Sequence, residues 1–60
     1  MIKWDYTRKD YKSHHNIIEE LNKMGADGWE VIDIKRYETN SYDRYYHTVY
    51  FKRRINELDR

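Results

Sequence analysis

Three histidines, two hydroxyl residues and one carboxylate are the groups in this chain whose chemistry deserves a first look. His14, His15 and His47 could present neutral imidazole to a metal ion. His14 and His15 are adjacent, however, and on a helix they would project about 100° apart, which prevents them from sharing one ion. No His-Glu-x-x-His spacing and no cysteine accompanies them, so the pattern predicts no metal site and leaves the imidazoles on a solvated surface. Thr39 and Ser41 sit in no Gly-x-Ser-x-Gly elbow and have no evident base and orienting acid beside them. Glu30 is a lone carboxylate, without the second acid that glycosidic acid–base chemistry uses. Gly25 and Gly28 follow a helical stretch, whereas a dinucleotide-binding loop follows a strand and opens a helix. These residues predict a non-enzymatic chain with no catalytic group and no cofactor.

Binding chemistry is better represented. Lys35, Arg36, Lys52, Arg53 and Arg54 could hold phosphates while tyrosine rings stack on bases, which is how an open sheet binds a single-stranded nucleic acid. Acidic Asp33, Glu38, Asp43, Glu57 and Asp59 are interspersed with them, and twelve basic against eleven acidic residues leave a formal charge of only +1. Long-range attraction for a polyanion is therefore weak, and nucleic acid is the alternative to a protein partner. Seven tyrosines, two tryptophans and one phenylalanine are more aromatic residues than one small core can hide.

The elements that position these groups follow from hydrophobic period. Ile2, Trp4 and Tyr6 alternate with polar residues and predict a first strand. Arg8 to Lys12 is charged apart from Tyr11, and Ser13 is placed to cap a following helix. Ile17, Ile18, Leu21 and Met24 draw an apolar stripe along that helix, with Glu19, Glu20, Asn22 and Lys23 opposite. Gly25 is the expected left-handed stop, placing Ala26 against Leu21, and Gly28 makes a corner before Trp29. Trp29 to Tyr37 is dense in β-branched and aromatic residues and predicts a second strand, in which Trp29 and Val31 share one face unless a bulge intervenes. A polar connection from Glu38 to Asp43 leads into a third strand from Tyr45 to Ile55, with Tyr45, His47, Val49 and Phe51 on one face and Tyr46, Thr48, Tyr50 and Lys52 on the other. Its aromatic residues on both faces put the third strand in the middle. The fold class is α+β: strand-helix-strand-strand, one helix on a three-stranded antiparallel sheet of order 1-3-2, with Ile17, Leu21, Met24, Trp29 and Phe51 at its centre.

Sixty residues make one domain, here 1–60, with a frayed tail at 54–60 that carries only Ile55 and Leu58 as apolar groups. Without cysteine there is no disulfide or thiolate–metal staple. No run approaches the roughly 20 apolar residues of a membrane span and the first ten residues do not resemble a secretory leader, so a cytoplasmic protein is expected.

The run Leu21-Asn22-Lys23-Met24-Gly25-Ala26-Asp27-Gly28-Trp29-Glu30-Val31-Ile32 resembles the pattern of the DUF4177 family of small bacterial and phage proteins of unknown function, where a helix ends in Leu-Asn-x-x-Gly-x-x-Gly-Trp-Glu before an apolar strand. Val49-Tyr50-Phe51-Lys52-Arg53 is similar to that family's final strand. The resemblance implies the same layout and no catalytic residue; the histidine-containing lead into the helix and the tyrosine-rich hairpin depart from it. One helix can cover only one sheet face, so Val31, Tyr46 and Tyr50 are expected on the uncovered one. That expectation makes the chain a protein-interaction module that self-associates, as a dimer first, and then meets a larger protein partner.

Overall fold

The computed structural model describes residues 2–40 and 44–55. The chain order is β1 (Lys3–Lys12), α1 (Ile17–Ala26), β2 (Glu30–Glu38) and β3 (Tyr45–Ile55). The three strands form one antiparallel sheet in the order β1-β3-β2, with α1 packed on one face. This is the expected α+β architecture, and the molecule is long and thin, 46 × 19 × 14 Å.

β1 continues five residues past the alternation that announces it. Eleven residues of β3 offer backbone partners over the whole distance, from Lys3 opposite Ile55 to Lys12 opposite Tyr46, and pairing overrides the charged composition of 8–12. The helix consequently starts later than Ser13 would have it. His15 closes a turn by donating its N–H to the Lys12 carbonyl at 3.0 Å while its Nδ1 accepts the Lys12 N–H at 2.9 Å. Asn16 then caps α1, its side-chain oxygen accepting the Glu19 N–H at 3.3 Å. His14 and His15 therefore lie before the helix, and their rings stack 4.4 Å apart instead of diverging.

The left-handed stop also comes three residues beyond the predicted one, at Gly28 and not Gly25. Gly25 remains helical, and Gly28, at φ +88°, takes the left-handed position. Trp29 N–H donates to the Met24 carbonyl at 3.1 Å and Gly28 N–H to the Gly25 carbonyl at 2.9 Å, the paired bonds of a Schellman turn.

In β2 a bulge between Val31 and Asp33 resets the side-chain phase, so that Val31 and Ile34 stand opposite Phe51 and Val49. Val31 and Ile34 thus share the helix side, unlike the unbulged expectation that separates them. The core consists of Tyr11, Met24, Val49 and Phe51, with Ile17, Leu21 and Trp29 packed around it. Ile18 belongs to the predicted stripe but is exposed, about 100° around the helix from Ile17. At the other end of the chain, Arg54 and Ile55 continue β3 rather than beginning a tail. Ser41, Asp43, Glu57, Leu58 and Asp59 lie outside the described residues.

Candidate interaction surface

The sheet reaches well beyond its helix. Ten helical residues span about 15 Å, whereas the eleven residues of β3 run about 37 Å. Residues directly opposite one another share a face, so the register assigns each paired strand position to one side. The helix side holds Asp5, Thr7, Lys9 and Tyr11 of β1, Val31, Ile34 and Arg36 of β2, and His47, Val49, Phe51 and Arg53 of β3. No described element covers the other side.

That open face is a band of rings with charges between them. Trp4 and Tyr6 come from β1, Tyr37 from β2, and Tyr46 and Tyr50 from β3. Trp4, Tyr37 and Tyr6 expose 37%, 42% and 69% of their surface. Tyr37 stacks on Tyr46 with centroids 5.2 Å apart, and Lys52 Nζ stands 4.4 Å over the Trp4 ring. Thr48 is the buried polar residue of this face, its hydroxyl donating to the Asp10 carboxylate at 2.7 Å. Arg8, Lys12, Lys35, Lys52 and Arg54 set five cations against the carboxylates of Asp10, Glu30 and Asp33, an excess of two.

The residues singled out from sequence divide between the faces. Tyr46 and Tyr50 are on the open face as expected. Val31 is not, because the bulge turns it toward Phe51, where it keeps 38% of its surface exposed at the margin of the core. Of the five basic candidates, Lys35, Lys52 and Arg54 share the open face. Arg36 and Arg53 occupy the helix side. Arg36 lies over Tyr45 at 4.1 Å; Arg53 lies over Trp29 at 4.4 Å, and also pairs with Asp5 at 3.6 Å and donates to the Asp27 carbonyl at 3.5 Å. Both guanidinium groups bind side chains of their own fold. Sequence reading missed Trp4, Tyr6 and Tyr37 as surface residues, although their parity with Tyr50 and Tyr46 across the sheet was a signal that strand order 1-3-2 makes available.

Thr39 stands at the mouth of the β2–β3 hairpin, donating its N–H to the Arg44 carbonyl at 2.7 Å. His47 meets Tyr45 edge-on, and His15 meets Tyr11 the same way. Among the described residues no group of three or more His, Cys, Asp or Glu side chains is placed to hold a metal ion, and no helix is long and apolar enough to cross a membrane. No protein-family model matches the chain, and no curated protein or solved structure matches it at a significant level.

Proposed function

We propose that this chain is a non-enzymatic protein-interaction module of the cytoplasm that self-associates, as a dimer first, and presents its open sheet face to protein partners. The observation that carries this reading is the bare aromatic face itself: Trp4, Tyr6 and Tyr37 are exposed beside Tyr46 and Tyr50 while the helix is spent on the other side. Tyrosine and tryptophan combine a large contact area with a polar tip and few rotatable bonds, which favours them at interfaces. A bacterial or phage accessory or regulatory protein resembling the DUF4177 family is the biological setting we propose; the Gly-x-x-Gly-Trp-Glu corner built on Gly28 and Trp29 supports it. Sedimentation velocity over a concentration series tests the reading. Wild type should associate, and Tyr6→Ser with Tyr37→Ser should weaken that association; a monomer at every concentration would end the self-association part.

A second reading, single-stranded nucleic-acid binding, is favoured by the placement of Lys52 over Trp4 and of Arg8, Lys35 and Arg54 on the same face. Its residue set differs from the sequence expectation by losing Arg36 and Arg53. Titration with a mixed-sequence oligonucleotide at two salt concentrations separates the readings: salt-sensitive binding lost in Lys35→Gln with Lys52→Gln favours nucleic acid.

A further inference from the structure

The two free edges of this sheet are built differently. β2 carries the bulge, and Asp33 folds its carboxylate back to accept the Ile34 N–H at 2.9 Å, both of which discourage a further strand. β1 is ten residues long and pairs with β3 without interruption. Its outward backbone phase is fixed from two directions. Lys12 turns its N–H and carbonyl to His15, away from β3, and the Thr39–Arg44 bond sets the alternation of β3 so that its odd-numbered residues bond toward β1. Alternate residues of an antiparallel strand turn their backbone groups to the same side, so Trp4, Tyr6, Arg8 and Asp10 present N–H and carbonyl at the open edge.

We infer that this edge pairs, antiparallel, with β1 of a second copy, in the register centred on Thr7. A twofold axis perpendicular to the sheet places residues of one face opposite each other. Centred on Thr7, Asp5 meets Lys9 of the second copy, Tyr6 meets Arg8, Trp4 meets Asp10 and Lys3 meets Tyr11, with no like charges opposed. The other registers pairing seven or more residues are worse: centring on Arg8 or Lys9 opposes a cation to its twin, and centring on Tyr6 opposes Lys3 to Lys9. The product is a six-stranded sheet, β2-β3-β1-β1-β3-β2, with both open faces on one side and Trp4 and Tyr6 of both copies joined in a central strip. This goes beyond the open-face reading, since it uses the edge backbone, and either can fail without the other.

The cysteine-free chain allows a geometric test. Thr7 faces Thr7 of the second copy in a non-hydrogen-bonded pair, whose Cα atoms lie about 4.5 Å apart, within disulfide reach. Mild oxidation of Thr7→Cys should give a disulfide-linked dimer as the main product, while Lys3→Cys, on the same face but opposite Tyr11, should not; no linkage at position 7, or equal linkage at both, overturns the register. Lys9→Glu, checked for folding by circular dichroism, should raise the dimer dissociation constant about tenfold by opposing Glu to Asp5 twice. Mixing it with Asp5→Lys should restore association as a heterodimer. An unchanged constant for Lys9→Glu overturns the edge pairing, and loss of association in Tyr37→Ser alone would then assign self-association to the open face. A wild type that stays monomeric at millimolar concentration overturns the edge pairing and ends the self-association part of the open-face reading.

Discussion

The Trp29 amide donates to the Met24 carbonyl across a left-handed Gly28, so the residue that leads into the second strand also closes the helix. Met24 is buried and Trp29 packs against the same cluster, so the hydrogen bond and the apolar contact fasten one corner. The two glycines then respond oppositely to alanine. At Gly28 a Cβ meets only ordinary contacts with the Arg53 side chain, and the cost is the positive φ, about 1–2 kcal/mol. At Gly25 a Cβ meets nothing within 4 Å and the backbone is helical, so Gly25→Ala should stabilise by about 0.5–1 kcal/mol. Urea melts of the two variants should shift in opposite directions.

Element type and order were legible in the chain because each segment keeps its hydrophobic period, 3.6 in Ile17, Leu21 and Met24 and 2 in β3. What was illegible depends on partners. Residues 8–12 join β1 through β3 partners 34 to 42 residues away, and Tyr11 enters the core through that pairing. Gly25 and Gly28 offer two stops of equal local quality, and the second lets Trp29 bond the Met24 carbonyl and pack against the core cluster. The face of Val31 turned on one extra residue in β2, which alternation does not reveal. Of the candidate surface, Tyr46 and Tyr50 were readable from parity within β3; Trp4, Tyr6 and Tyr37 needed the register.

Core substitutions should separate the residues that sequence groups together. Phe51 is fully buried in the central strand, so Phe51→Ala should cost about 3–5 kcal/mol. That is comparable with the whole stability of a domain this size, roughly 3–9 kcal/mol. Leu21 packs on the same cluster but is only partly buried, and Leu21→Ala should cost less, about 1–2 kcal/mol, because neighbouring side chains and solvent reach the gap. Equal losses for the two variants in denaturant melts would contradict this placement of the core.

The Thr48–Asp10 bond joins β1 to β3 beneath the open face. Thr48→Val keeps the branched shape and removes the donor, and should lower stability by about 1 kcal/mol. A double-mutant cycle with Asp10→Ala isolates the pair, and additivity of the single effects would show that the bond contributes nothing to the fold.

Tyr11 gives the fold a pH dependence of predictable sign. Its ring is buried beneath the helix, and its phenol is raised above the ordinary tyrosine value by that burial first and by the Glu20 carboxylate second. The folded state therefore holds the phenolic proton more tightly than the unfolded chain, in which tyrosine titrates near 10. Below about pH 10 both states are protonated and this contribution to stability is fully present. As pH rises further the unfolded chain releases its proton first, and the contribution is lost progressively through the folded value. The comparison is with Tyr11→Phe, which removes this one ionisation and keeps the ring. Chemical melts of the two proteins between pH 8 and 11 should give a difference that is constant below about pH 9.5 and then moves steadily in favour of Tyr11→Phe. A difference that stays flat to pH 11 would mean that the phenol ionises as readily in the fold as outside it, and Tyr11 would then have to be more open to water than its place in the core allows.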